Sequence, residues 1–480
     1  MPYMVLFKKM LKNKVIRNTL AMFSGQSGAQ LLAMLFSIFL GKTLSDADFG
    51  KLKFAIAYVV VFMAFAEYGL QALLIREIAR DKAKTAALFW NSIILKTAFS
   101  IIAALLGWAV LKGFYSEFPV KQTLVYLVAG SLIFNAWYFS ISSVFIGHQE
   151  NHVEAILFFT GKAIYVAGGV IAVFAFRNVK VVALMFSIAT TIQCILAFVC
   201  LMRRHRHLRF NYDFSVLKYL VTHGWQFFSI TIFTTLNLKF DSIFIGKWCP
   251  DANLGHYSGA YALILAPIIL ANAFVRSMYP ALSEAHHRGD ENFWKRINLG
   301  FRWLAALAFP VLFFMTIDGG RLLTFAFKKS FIAGLLPMQI LLWGQGLDFF
   351  CPFAGHILYV LNRQKMVIAI TGISVLTNVV ADIALIPHYG TVGAGIAKLI
   401  ALLVMFFGYA FAMNKWLPIR KLFKNLTPPF IVAALFAPLV WYLRQFVPFY
   451  INGAIYCGLC LAAYLVFKLI KLKDIKVFGG

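Results

Sequence analysis

IFLGKTLSDADFGKLKFAIAY, Ile38 to Tyr58, returns 205 residues later as IFIGKWCPDANLGHYSGAYAL, Ile243 to Leu263, with nine identities over twenty-one ungapped positions. Each copy reads as the end of one apolar segment, a short polar turn edged by glycine (Gly41 and Gly50, then Gly246 and Gly255), and the start of the next. The chain is therefore an internal duplication. In a membrane protein, two similar halves around a central cavity are the usual construction of an alternating-access carrier.

The rest of the chain supplies the membrane. Of 480 residues, 61% are hydrophobic and 13% charged, and the mean hydropathy is +0.79, against roughly 25% charged in soluble domains. About 20 apolar residues span the ~30 Å hydrocarbon layer as a helix. Fourteen such stretches are expected, at 17–41, 52–75, 86–111, 122–146, 153–176, 180–202, 217–246, 256–283, 297–317, 333–361, 366–386, 391–413, 427–446 and 449–470. Their connections are short, which excludes a soluble catalytic or binding domain between spans. The basic opening KKMLKNKVIRN runs into an apolar stretch longer than a signal-peptide core and is read as retained.

Forty-five Lys and Arg against eighteen Asp and Glu give a net charge of +27. In a soluble protein this would suggest nucleic acid; here topology accounts for it, and no nucleic-acid partner is expected. With the N-terminus cytoplasmic, alternate connections and tails on that side carry 27 Lys and Arg and the other side 12, as the positive-inside rule requires for an even span count with both termini inside. The copies lie six spans apart, so both halves insert the same way and are related by an axis along the membrane normal. The expected organisation is an N-lobe at 1–203, a cytoplasmic linker at 204–216, a C-lobe at 217–415, and two extra spans with a basic tail at 416–480.

Three stretches resemble a known family: LGKTLSDADFG with EYGLQALLIREIAR (Glu67 to Arg80), FDSIFIGKWCPDANLGHYSGAYAL, and TNVVADIALIPHYGTVGAGIAK (Thr377 to Lys398). They are similar to the polysaccharide transporter family of the multidrug, oligosaccharidyl-lipid and polysaccharide exporter superfamily, which includes the Wzx-type O-antigen flippases. The resemblance covers nearly the whole chain. It implies an all-α protein of the bacterial cytoplasmic (inner) membrane that carries a prenyl-diphosphate-linked oligosaccharide to the outer leaflet for O-antigen of lipopolysaccharide, capsule or exopolysaccharide. It also implies membrane lipids as surroundings, a polysaccharide polymerase and glycosyltransferases as partners, and no chemistry on the cargo. A cation-coupled drug exporter of the same superfamily is the alternative, and a polytopic polymerase or ligase the second. The exporter should show an acidic lumen, the enzyme a large extracytoplasmic loop.

Six basic residues fall within the spans, Lys96, Lys162, Lys239, Arg276, Arg302 and Lys398, with four acidic ones, Glu67, Asp241, Asp348 and Asp382. Each costs at least ~2.5–3.5 kcal/mol in hydrocarbon and so turns to an interior or a water-filled cavity. As a cationic lumen they would compensate a diphosphate leaving water. As structural groups they would pair with the four carboxylates or snorkel. Lys96 and Lys162, about ten residues inside their spans, fit the lumen better, and Arg302, nearer an end, fits pairing; for Lys239, Arg276 and Lys398 both readings stand. Glu67 and Asp348 are candidates for proton or sodium coupling, or for ion pairing. Asp241 and Asp382, near span ends, are candidates for gate or ion pairs.

Span one carries Ser24, Gly25, Gln26, Ser27, Gly28 and Gln30, and span seven Gly224, Gln226, Ser229, Thr231, Thr234, Thr235 and Asn237; both close packing and a sugar-binding wall use such residues. Pro267, Pro280 and Pro310 are expected to kink spans eight and nine. The chain has no Walker A sequence, and GTVGAGIAK (Gly390 to Lys398) opens a span instead of following a soluble strand. Cys457 and Cys460 form a C-x-x-C inside the last span without metal-ligand neighbours. No metal, cofactor or catalytic residue is assigned.

Overall fold

The computed structural model describes residues 14–206, 208–290 and 292–470. The first lysines of the basic opening and the last of the C-terminal tail lie outside the described residues, as do the side chains of Ser24, Gln26 and Pro280. Every regular element among the described residues is helical: α1 (Lys14–Thr43), α2 (Asp46–Glu67), α3 (Leu70–Arg80), α4 (Thr85–Phe114), α5 (Pro119–Ala129), α6 (Ser131–Gly147), α7 (Asn151–Ile171), α8 (Val179–Arg204), α9 (Phe214–Trp248), α10 (Asp251–His287), α11 (Phe293–Ala326), α12 (Leu335–Leu347), α13 (Cys351–Val360), α14 (Gln364–Met413), α15 (Ile419–Leu443) and α16 (Phe449–Val466). Helices are what a chain this apolar must form, since every backbone N–H and C=O in hydrocarbon needs an internal partner. Twelve helical stretches among the described residues are long and apolar enough to cross a membrane.

The repeated turn has a physical reading. In the first copy Ser45 caps α2, its Oγ accepting from the Asp48 N–H at 3.1 Å, and Asp46 and Asp48 face the positive helix end. In the second copy Pro250 fixes the entry and Asp251 opens α10. One motif thus restarts a helix after a reversal in each half.

α14 is one element of fifty residues with a sharp reversal inside it. Gly390 has φ 55° and ψ −134°, outside the helical region and accessible to glycine. The arms on either side fold back on each other: Ser374 Oγ donates to the Ala401 carbonyl at 2.7 Å, and the Thr371 hydroxyl meets that of Tyr409 at 3.1 Å. The reversal falls where the sequence separates spans 366–386 and 391–413. Conversely, the stretch read as one span at 333–361 is two helices, α12 and α13, broken at Asp348 to Phe350.

Packing divides the chain into two compact units, 1–247 and 248–480. α9, which the sequence repeat places at the head of the second half, packs here with the first unit. In the second unit the two helices outside the duplication are tied to α11 at both ends. At one end Arg302 Nη2 donates to Asn425 Oδ1 at 3.2 Å, a neutral amide in place of the carboxylate partner the sequence suggested. At the other, the fully buried Asp318 accepts from Asn452 Nδ2 at 2.7 Å and faces Arg321 at 3.4 Å, and Arg321 also donates to the carbonyls of Arg444 and Val447. Asn452→Leu removes a donor from a buried carboxylate, which costs about 1–3 kcal/mol. Purified protein should accordingly unfold earlier in a thermal or denaturant titration, with the loss confined to the α15–α16 pair in hydrogen exchange. An unchanged transition would show that Arg321 alone holds Asp318.

Candidate functional site

The first unit is organised around a broken span. α2 ends and α3 begins at Tyr68 and Gly69, both left-handed, with φ 52° and 65°. A break inside a membrane span strands the first N–H groups of the new helix. Glu67 answers this locally: its Oε2 accepts from the Gly69 N–H at 2.7 Å and its Oε1 from the Gln71 N–H at 2.6 Å. Lys96 of α4, completely buried, places its Nζ 3.5 Å from the same Oε1. The carboxylate is thus held by backbone donors, the positive end of α3 and a lysine. The polar line continues from Gln71 Nε2 to Ser142 Oγ and from there to Glu154 Oε1, each at 3.4 Å.

α9 lies against this break. A Cβ on Gly69 would overlap the backbone of Phe227 and Phe228. The Tyr68 and Phe228 rings stack at 5.1 Å, and the Arg76 guanidinium sits 5.4 Å from the Phe227 ring centroid. The far end of the helix, about 27 Å along its axis from Phe228 to Gly246, is held as well. Tyr115 Oη donates to the Ile243 carbonyl at 3.1 Å, the buried Lys121 donates to the Gly246 carbonyl, and Lys247 to that of Phe114 at 2.8 Å. Asp241 is buried near this end, and the half-buried Lys239 is close enough to Lys53 for their charges to repel.

Lys162 is different. It stands eleven residues into α7, about 16 Å along the helix axis, half-buried, with the Phe158 ring 5.7 Å from its Nζ. Among the described residues no carboxylate lies within 4.0 Å of it. Around it, small residues of the first span serve packing: Gly25 meets Ala155 and Gly28 meets the Phe159 ring at 3.7 Å. The span-seven hydroxyls of Ser229 and Thr235 bond back to carbonyls of their own helix, those of Trp225 and Thr231.

In the second unit Lys398, Asn378 and Asp382 form a buried relay across the α14 hairpin. Lys398 Nζ donates to Asn378 Oδ1 at 3.0 Å, and Asn378 Nδ2 to Asp382 Oδ2 at 3.1 Å. All three side chains are essentially inaccessible. Asp348, half-buried at the α12–α13 break, lies within the field of Lys398. Arg276 on α10 is exposed and, among the described residues, has no ion-pair partner. If the relay is structural, Lys398→Met should reduce folded yield by stranding a buried carboxylate, and Lys398→Met combined with Asp382→Asn should recover part of it. Yield and unfolding midpoint of the two single variants and the double variant check this; strict additivity would separate the two residues.

Of the ten charges placed within the spans, the structure joins Glu67 with Lys96, links Lys398 to Asp382 through Asn378, and sets Asp348 within the field of Lys398. It leaves Lys162 and Arg276 as cations without carboxylate partners among the described residues. Glu154, Lys121 and Asp318 were not among the candidates: Glu154 sat at a span edge, Lys121 in the Lys and Arg count of the outer connections, and Asp318 one residue past the span 297–317. Among the described residues no three His, Cys, Asp or Glu side chains are grouped to hold a metal, and all six cysteines are free thiols.

The fold recurs in solved membrane carriers. It is similar to the lipid II flippase MurJ in an inward closed conformation, at TM-score 0.72 and 15% identity, over 96% of this chain and 99% of that one. A multidrug resistance MATE transporter of the same superfamily, inward-facing, matches at TM-score 0.64 and 13% identity over 82% and 96%. A superfamily transporter from Pyrococcus furiosus, described as having a binding pocket of reversed polarity, matches at 0.59 and 14% over 84% and 95%. The search of curated proteins found no match. These likenesses show a fold that the chain shares with membrane carriers. The model of a polysaccharide biosynthesis protein family matches residues 15–286, more than half of the sequence. This multi-pass membrane chain, with the fold of the multidrug, oligosaccharidyl-lipid and polysaccharide exporter superfamily, belongs to the polysaccharide biosynthesis protein family.

Proposed function

We propose that the protein is a flippase that moves a prenyl-diphosphate-linked oligosaccharide from the cytoplasmic to the outer leaflet by alternating access. The observation that carries this reading is Lys162, a mid-span cation with no carboxylate within 4.0 Å among the described residues. A lysine at that depth costs free energy that a structural ion pair would offset; where no pair offsets it, its charge serves a ligand. A diphosphate is the part of such a cargo that needs a cation on leaving water. Arg276 supplies the same chemistry in the second unit. Lys96, Lys239 and Lys398 belong to the same cationic set but are already engaged with protein groups, so they act on the cargo only as those contacts rearrange. The sign argues against an exporter of organic cations. The likeness to a lipid II flippase and to a carrier with a pocket of reversed polarity supports the same choice.

The reading includes fourteen crossings, counting the two arms of α14 separately and adding α1 to the twelve stretches. It places the chain in the bacterial inner membrane with both termini cytoplasmic. The lobes are 1–203 and 217–415, with 204–216 as linker and 416–480 as accessory. Asp348 and Glu67 are the coupling carboxylates for proton or sodium, and Asp241 and Asp382 act at the gates. The product enters O-antigen, capsule or exopolysaccharide synthesis beside glycosyltransferases and a polymerase. Cells lacking the protein should accumulate the lipid-linked oligosaccharide while its glycosyltransferases stay active. Normal surface polysaccharide with no accumulated intermediate would overturn the assignment.

A further inference from the structure

An apolar site lies in the first unit, lined by none of the charged residues discussed so far. α2, α4 and α5–α6 enclose a cavity of about 180 Å³. Its floor is aliphatic and aromatic, with Phe62 packed beside Gly107 and the Tyr58 hydroxyl spent on the Gly107 carbonyl at 2.6 Å. An apolar cavity of about 150 Å³ stays dry and accepts a benzene-sized hydrocarbon, so this one takes a short stretch of a single chain. Its mouth opens beside Trp108 and Tyr126, which are 55% and 43% exposed, on a face whose neighbours Leu105 and Leu106 are also exposed. In a membrane that face meets lipid.

The mouth has a charged roof. Lys112 stands one helical turn beyond Trp108 on α4, and Gln122 one turn before Tyr126 on α5, so both lie on the cavity side. Lys112 Nζ donates to Gln122 Oε1 at 3.0 Å, which bridges the two helices over the opening. Its ammonium keeps further donors for an anion, and no carboxylate among the described residues neutralises it. A chain-sized apolar slot with a cation at the headgroup end matches a phospholipid with an anionic phosphate head.

We propose that this cavity is a binding site for one acyl chain of an anionic phospholipid, such as phosphatidylglycerol, with its phosphate on Lys112. It lies in the outer leaflet in the orientation proposed above. The site is independent of the cargo reading, because none of its residues is among the cargo-binding set.

The full-length protein in vesicles with brominated acyl chains tests this directly. Fluorescence of the wild type minus that of Trp108→Phe isolates the Trp108 signal. Brominated phosphatidylglycerol should quench it at severalfold lower mole fraction than brominated phosphatidylcholine. Lys112→Gln should abolish that headgroup preference, and Ala104→Phe, which fills the slot, should leave only quenching proportional to bulk lipid. Quenching equal for both lipids, or a preference that survives Lys112→Gln, would overturn the proposal. So would relief of quenching by stoichiometric short-chain prenyl diphosphate, which would give the slot to the cargo's chain instead. Ala104→Phe must retain the wild-type thermal transition; should it fail, the Lys112→Gln comparison decides alone.

Discussion

Gly69→Ala should abolish polysaccharide export while Gly113→Ala leaves it intact. Gly69 sits at φ 65°, where a Cβ costs on the order of 1–2 kcal/mol, and the added methyl overlaps the backbone of Phe227 and Phe228. The clash is with main chain and cannot be relieved by a rotamer change, so α9 must withdraw from the α2–α3 break. The Tyr68 and Phe228 stack and the Arg76 contact go with it. Glu67 keeps its backbone donors, so the first unit itself should fold. The expected result is at least a tenfold fall in surface polysaccharide at normal protein level, with an unfolding midpoint lowered by only a few degrees. At Gly113 a Cβ meets nothing within 4 Å, which makes it the matched control. Export at the wild-type level in Gly69→Ala would mean that the seat of α9 on the break has no part in transport.

The second large effect is expected at the cations without carboxylate partners. Lys162→Gln and Arg276→Gln keep polarity and approximate length but remove the charge that would offset a desolvated diphosphate. A hydrogen bond to a charged group is worth about 1.5–3 kcal/mol, which corresponds to a roughly ten- to hundredfold loss of transport for each. Lys162→Arg should restore most of the loss. Lys96→Gln should behave differently: it leaves Glu67 buried beside an uncharged partner, and the fall should show first in folded yield. Quantified surface polysaccharide against membrane protein level separates the two classes. If Lys162→Gln exports normally, that residue is packing, and the cationic set must be sought elsewhere.

Much of the fold was readable because membrane physics leaves few choices. The repeated turn announced two halves, and Pro387 to Gly390 marked the reversal that splits α14. The break at Tyr68–Gly69 carried no comparable signal, since EYGLQ sits in an apolar run and a single glycine is tolerated in many helices. Its meaning comes from Glu67 folding back onto the next turn and from Phe228, 159 residues away in sequence. The charges show the same division. Hydropathy exposed Lys96 and Lys162 alike, yet only distance to a carboxylate distinguishes them. Lys121 was counted with the basic residues of an outer connection and Asp318 fell just past a span end; both are buried because another helix end covers them. Residue type and depth are local properties, whereas partnership is set by packing.

The most direct measurement is translocation by the purified protein in vesicles. A fluorescent short-chain prenyl-diphosphate oligosaccharide, placed in one leaflet, is followed by its accessibility to an impermeant reagent on the other side. The account predicts protein-dependent transfer that falls at least tenfold in Lys162→Gln and Arg276→Gln, and no transfer of an uncharged prenyl glycoside carrying the same sugars. Equal transfer of the charged and uncharged lipids, or none of either by folded protein under an imposed proton or sodium gradient, would contradict it.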